Sequence, residues 1–245
     1  MNGLNEWFAD LKADFILNFV AENRWKFITT GLKNTLIITL FSLIIGVLLG
    51  VIVAIIRSSY DKNHAEMRKG FSKFMLWLIN GICKIYLTVI RGTPVVVQLL
   101  IMYYIIFSSS RNSLLVAIIA FGINSGAYVA EIVRSGIMAI DQGQFEAGRS
   151  LGFDYKSTMI HIILPQAFKN ILPALANEFI VLLKETSVAG YVTIRDLTMG
   201  GNIIRAATYS AFMPLIAVAI IYLVMVMFFT WLVDLLERRL RKSER

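Results

Sequence analysis

Residues 146–173 read E-A-G-R-S-L-G-F-D-Y-K-S-T-M-I-H-I-I-L-P-Q-A-F-K-N-I-L-P, a polar island set between long apolar segments. Gln144 to Ser150 has the composition of a short helix lying across a membrane surface. Gly152 is placed to end that helix, because glycine supplies the left-handed conformation of a helix C-cap without a steric penalty. Pro165 is placed to open the next one, where its missing donor has no intrahelical bond to lose. Such an element can be gripped and displaced as a rigid body.

Outward from this island the chain is apolar. Of its 245 residues 57% are hydrophobic and 16% are charged, whereas a soluble domain carries about a quarter charged residues. The expected fold class is all-α, a polytopic helical membrane protein with five transmembrane helices. The net charge of +8 comes from bases in short runs, at 57–73 and 238–245, beside apolar segments. That placement favours anionic lipid and a cytoplasmic side over nucleic acid as the partner. The single cysteine, Cys83, excludes an internal disulfide and a C-x-x-C metal pair. His64 and His161 are isolated, so no metal is expected.

The N-terminus has no basic start running into an apolar core and a small-residue cleavage site, as a cleavable signal would. Phe8, Leu11, Phe15 and Phe19 recur at helical spacing among polar residues. Residues 4–22 therefore read as an amphipathic helix, lying at the membrane surface or packed on the transmembrane body.

The spans read as 36–56, 74–107, 114–140, 171–189 and 211–233. The second is awkward, since its 34 residues would run about 50 Å as a helix where the bilayer core is about 30 Å thick. Arg91-Gly92-Thr93-Pro94 interrupts it. One crossing that begins obliquely and breaks near Pro94 is the preferred reading, and a tight hairpin the alternative. The first and third spans each carry a G-x-x-x-G pair, Gly46 with Gly50 and Gly122 with Gly126. Small residues at that spacing let two helices approach closely, within one chain or between two copies. Residues 191–209 read as a structured external loop. The basic loop after the first span and the basic tail should be cytoplasmic, which with five spans puts the N-terminus outside. Lys12, Arg24, Lys26 and Lys33 conflict with that side.

The island resembles the EAA loop of the membrane subunits of ATP-binding-cassette importers. Glu146, Ala147, Gly152, Ile162, Leu164 and Pro165 hold its spacing, with Gly148 in place of the second alanine. Arg91-Gly92-Thr93-Pro94 with the following Val-Val-Val-Gln, Ala127 to Glu131, and Leu183 to Ser187 are similar to segments of the polar-amino-acid permeases of the histidine, glutamine and arginine type. The resemblance covers the chain from about Asn34 to the tail. It implies the type I importer permease (MetI-like) fold. Residues 1–30 would be an N-terminal amphipathic segment, 31–240 the permease domain with its coupling loop at 141–165, and 241–245 a basic tail. It further implies a permease subunit of an ATP-driven importer of polar, and foremost basic, amino acids. Glutamine, glutamate or another small polar solute is the alternative cargo. A secondary transporter or channel is the remote alternative.

No phosphate-cradling G-x-x-x-x-G-K-[ST] occurs in the chain, so it is not expected to hydrolyse ATP or to hold a cofactor of its own. ATP and Mg are implied on a separate cassette ATPase that docks on Glu146, Ala147, Gly148, Leu151 and Gly152. The other implied partners are a second permease subunit, with a homodimer favoured and a heterodimer possible, and an extracytoplasmic amino-acid-binding protein. The implied location is a prokaryotic cell membrane. No catalytic residue is expected.

Ionisable groups inside a span usually face a bundle interior or a water-filled cavity. Asn124, Tyr128 and Glu131 share one face of the third span. On the fourth, Glu178, Leu182 and Glu185 share a face, and Asn177, Val181 and Lys184 share its neighbour. Gln98 either joins such a path or satisfies backbone groups freed at Pro94. Glu131 either meets substrate or pairs with Arg134, and Lys184 with Glu185 forms a gate or an ion pair. Glu178, near mid-span, is the candidate carboxylate for a basic side chain.

Overall fold

The computed structural model describes residues 2–63 and 70–242, so His64, Arg68, Lys69 and residues 243–245 lie outside the described residues. Every regular element among the described residues is a helix, and five helices are long and apolar enough to cross a membrane. These are α2 (Trp25–Asn63), α3 (Phe71–Gly92), α5 (Ser113–Met138), α8 (Leu164–Glu185) with its helical extensions, and α10 (Phe212–Lys242). The shorter helices are α1 (Asn2–Phe15), α4 (Val95–Ile101), α6 (Gln142–Ser150), α7 (Tyr155–Thr158) and α9 (Leu197–Thr208).

The most extensive packing is between α2 and α5, and the two glycine pairs make it. A Cβ on Gly46 would lie 2.8 Å from Ser125 Oγ, and one on Gly50 would lie 2.6 Å from Val129 Cβ. From the other side, a Cβ on Gly122 would meet Ile45 at 2.8 Å and one on Gly126 would meet Leu49 at 3.1 Å. Both G-x-x-x-G pairs thus serve a contact within the subunit. Where apolar side chains gain nothing over lipid, close backbone approach supplies the dispersion contact that holds two helices together.

The helices outrun the expected spans. Helix α2 has 39 residues, about 58 Å at 1.5 Å per residue. Its first turns leave the expected span and pack on α9. The expected external loop holds that 12-residue helix, capped by the Asp196 carboxylate, which accepts from Thr198 N at 2.9 Å. Gly200 and Gly31 seat α9 on α2, since a Cβ on either would come within 2.5 Å of a backbone carbonyl oxygen, of Phe27 and Asp196 respectively. At the N-terminus α1 leaves Trp7, Phe8 and Phe15 exposed. Buried Asn18 then ties the chain down, donating to Asp14 O and accepting from Thr208 Oγ1 at 2.8 Å.

Pro94 breaks the second span as expected. Tyr86 donates to Ile123 O at 2.6 Å, and Gln98, 12 residues on, accepts from Asn124 at 2.9 Å. Twelve residues running straight along α5 would climb about 18 Å, yet the partner changes by one position. The end of α3 therefore runs obliquely, and α4 resumes the climb with the wide helical turn Met102–Ile106. Pro165 does stand in the first turn of α8, but that helix does not start afresh there. Helix begins already at α7, continues through the wide turn Met159–Ile163, and carries Pro165 near the start of α8 and Pro173 inside it. The wide turn shifts the hydrogen-bond ladder by one residue, which accommodates a proline without ending the helix.

Candidate functional site

Two regions bring the singled-out residues together. The first lies where α3 ends. Gln98 Nε2 donates to Ile90 O at 2.7 Å, Thr93 O at 3.0 Å and Thr93 Oγ1 at 2.8 Å, so its amide caps the carbonyls that Pro94 leaves without a donor. Its Oε1 accepts from Asn124, which is buried with its own Oδ1 unpartnered. Asn124, Tyr128 and Glu131 do share one stripe of α5. Its upper end is covered by α4, while Tyr128 and Glu131 stay open.

Beside Tyr128 is a cavity of about 480 Å³ lined by Leu87, Thr88, Arg91, Gly92 and Tyr128. The Arg91 guanidinium lies 5.9 Å from the centre of the Tyr128 ring and 3.4 Å from Glu131. Glu131 also lies 3.9 Å from Arg134, and Arg134 lies 3.4 Å from Asp61. Four charges of alternating sign therefore run from the cavity to the far end of α2. Sequence reasoning places Arg91 in a motif and leaves it out of the path. The legible signal was a charge set directly before a Gly-Thr-Pro break inside an apolar segment.

On α8 the two polar faces divide. Glu178 is buried and accepts from Ser125 Oγ at 2.7 Å, Leu182 is fully buried, and Glu185 is half-buried. Asn177, Val181 and Lys184 are exposed. The carboxylate face is turned into the α5 contact, and the amide and ammonium face is open.

The second region is the island itself. Gly152 takes φ +82° directly after α6, with Phe153 N donating to Gly148 O and Gly152 N to Arg149 O, both at 3.0 Å. This paired pattern is the Schellman C-cap, and it requires the left-handed residue that glycine provides. Asp154 then caps α7, accepting from Ser157 N at 2.9 Å, and the Ser157 hydrogen bonds hold its carboxyl below the usual range. Phe145 stacks on Tyr155 across the turn. Gly148 is buried, and an alanine Cβ there would lie 2.6 Å from Thr158 Cγ2, so the departure from E-A-A fits its neighbour. Glu146, Ala147 and Leu151 face outward, with Leu151 73% exposed.

The family described as binding-protein-dependent transport system inner membrane component matches residues 70–242. The arginine transport system permease protein ArtQ of Bacillus subtilis is 38% identical over 221 residues, covering 89% of this chain and 94% of that protein. The glutamine transport system permease protein GlnP of Escherichia coli is 33% identical over 215 residues, covering 86% and 91%. Among solved structures, a chain of an amino acid ABC transporter with histidines superposes with a TM-score of 0.77 at 42% identity, covering 87% of this chain and 94% of that one. An inward-facing MetNI methionine ABC transporter matches with a TM-score of 0.74 at 18% identity, a likeness of fold, covering 90% and 99%.

Proposed function

The chain belongs to the family of binding-protein-dependent transport system inner membrane components, and from that premise we propose that it is the membrane-spanning permease subunit of an ATP-driven amino acid importer. Similar permeases are named for arginine, glutamine and cystine. Free polar amino acids are the substrate class, with basic side chains first and glutamine or glutamate second.

The observation that carries this reading is the set of polar side chains left open on helices long and apolar enough to cross a membrane. Arg91, Tyr128, Asn177 and Lys184 are all exposed on this single chain. A charge facing lipid is costly, by about 2.5 to 3.5 kcal/mol or more at the centre of a span. These side chains are therefore covered by a second permease subunit around a water-filled path, most simply a second copy of this chain. The exposed face of α6, with Glu146, Ala147 and Leu151, supplies a rigid handle for a cassette ATPase, which binds ATP and Mg in place of this chain. A binding protein delivers substrate from outside the cell membrane of a prokaryote. Asn124 and Glu178 are closed inside the subunit and Gln98 is half-buried, and in this reading they shape the path from behind.

The test is reconstitution of the purified chain with its ATPase and binding protein in proteoliposomes. ATP-dependent uptake of a labelled polar amino acid is expected. Uptake driven by an ion gradient without ATP, or no amino acid uptake at all, overturns the proposal.

A further inference from the structure

We propose that α1 lies in the membrane–water interface on the side of the bilayer where α9 sits, with its apolar face against the acyl chains of neutral phospholipid. Residues 6–17 are all exposed, and Trp7, Phe8 and Phe15 are each more than half exposed. At 3.6 residues per turn, Trp7, Phe8, Leu11 and Phe15 fall within an arc of about 100°, and Glu6 and Ala13 fall on the opposite side. The apolar surface continues beyond α1 through Ile16, Leu17 and Val20, which are exposed as well. A contiguous apolar surface of this length is not left in water; it marks a contact with a membrane or another protein.

The segment is attached rather than trailing. Glu22 and Asn23 are consecutive non-glycine residues in the left-handed region, at φ +52° and +55°, a conformation that persists only where its surroundings hold it. Largely buried Arg24 donates to Leu17 O at 2.6 Å and pairs with Glu22 at 3.0 Å. Buried Asn18 donates to Asp14 O and accepts from Thr208 at the end of α9. One end of α1 is thereby fixed to α2 and α9. On α2 every exposed residue between 34 and 60 is apolar, namely Leu40, Phe41, Ile44, Leu48, Ile52 and Ile55. That is a lipid face, whereas the open polar residues that call for a second subunit lie on α3, α5 and α8. Trp25 and Lys26 stand exposed between the lipid face and α1, residue types suited to a membrane interface. Helix α1 carries three acids, Glu6, Asp10 and Asp14, against the single base Lys12, so its attraction to the surface is apolar and needs no anionic lipid.

The experiment uses the full chain assembled with its ATPase in phosphatidylcholine nanodiscs, where a water-soluble maleimide reaches both membrane faces. Leu11→Cys probes the apolar face and Ala13→Cys the opposite one, and native Cys83 is buried and gives the unlabelled background. Ala13→Cys should label fully and Leu11→Cys should lose nearly all labelling, because an interfacial helix sinks its apolar face about 5 to 10 Å into the headgroup and acyl boundary. With Trp25→Phe, Trp77→Phe and Trp231→Phe combined, the remaining Trp7 should lose on the order of half its emission in acyl-brominated phosphatidylcholine, at the same depth. Leu11→Glu with Phe15→Glu should remove that quenching, and added phosphatidylglycerol should leave it unchanged. Equal labelling of Leu11→Cys and Ala13→Cys would put the face in water and overturn the assignment. Protection of Leu11→Cys without bromine quenching of Trp7 would mean that a protein covers the face, and quenching that appears only with anionic lipid would mean a different surface; either overturns it too. The cysteine measurements need no tryptophan change, so they decide the outcome if that variant does not assemble.

Discussion

A glycine's place in the packing decides what it tolerates. A Cβ on Gly50 would overlap Val129, whereas a Cβ on Gly81 would meet nothing within 4 Å. Gly50→Val should therefore lower the thermal unfolding midpoint of the solubilised protein, by the about 1 to 3 kcal/mol typical of overpacking. Gly81→Ala should leave the midpoint unchanged or raise it, since alanine is favoured in a helix by about 1 kcal/mol. Equal behaviour of the two variants would refute the assignment of α2 and α5 as the tight pair. Asp196 illustrates a different residue-scale cost. Its burial between α2, α9 and α10 pushes its carboxyl up to about 6, above the roughly 3.9 of an unfolded chain. The folded state then binds the proton more tightly, so this residue's contribution to stability is full below about pH 4 and is lost as pH rises through about 6. The unfolding midpoint of wild type should drop between pH 5 and 7 by more than that of Asp196→Asn, and identical pH profiles would contradict this.

At the scale of elements, two breaks do work that unbroken helices could not. Proline at 94 turns an over-long apolar segment into an oblique part and a rising part, and one side chain closes the wound. Gln98→Leu should leave the Ile90 carbonyl without its donor and strip buried Asn124 of its partner, at about 1 to 3 kcal/mol for each buried group left unsatisfied. A fall in unfolding midpoint larger than that of a surface Gln→Leu control is expected, and a neutral result would show that water replaces the amide. The C-cap at Gly152 is the second break. Gly152→Ala places a Cβ in the left-handed region at a cost of about 1 to 2 kcal/mol, on the surface proposed to grip the ATPase. It should uncouple transport from ATP hydrolysis more than it lowers stability, and Glu146→Lys should abolish uptake while leaving the protein inserted. Normal uptake by the Glu146 variant would mean that α6 is not the handle.

For the whole molecule, five crossings place the two ends on opposite sides. A reporter fused after Arg245 should be cytoplasmic, one inserted at Asn112 external, and the N-terminus external. The loop and tail bases argue for this orientation, and Lys12 and Arg24 argue against it. The structure shows how Arg24 is managed. Its side chain is largely buried, with the guanidinium on Leu17 O at 2.6 Å and 3.0 Å from Glu22, so it is not a free charge. Labelling of the N-terminus from the cytoplasmic side would refute the five-span orientation. The same scale bears on the exposed polar strip: in the proposed function, a face that one chain cannot cover in lipid is completed by a second subunit.

What local chemistry dictates was legible in the chain. Apolar runs of spanning length, proline at 94, glycine at 152 and the spacing of the island each act through the backbone of their own segment, and α5 at Ser113–Met138 lies close to its expected 114–140. What depends on which helix meets which was not. The glycine pairs announced close approach but not that they face each other, and two polar stripes on α8 were equivalent until packing on Ser125 turned Glu178 inward and left Asn177 and Lys184 open. Helix α9 read as loop because its glycines, poor helix formers alone, are held by contact with α2 and α10. Periodicity records that a face differs from its opposite; only the neighbour against which it packs determines whether that face becomes interior, lipid surface or path.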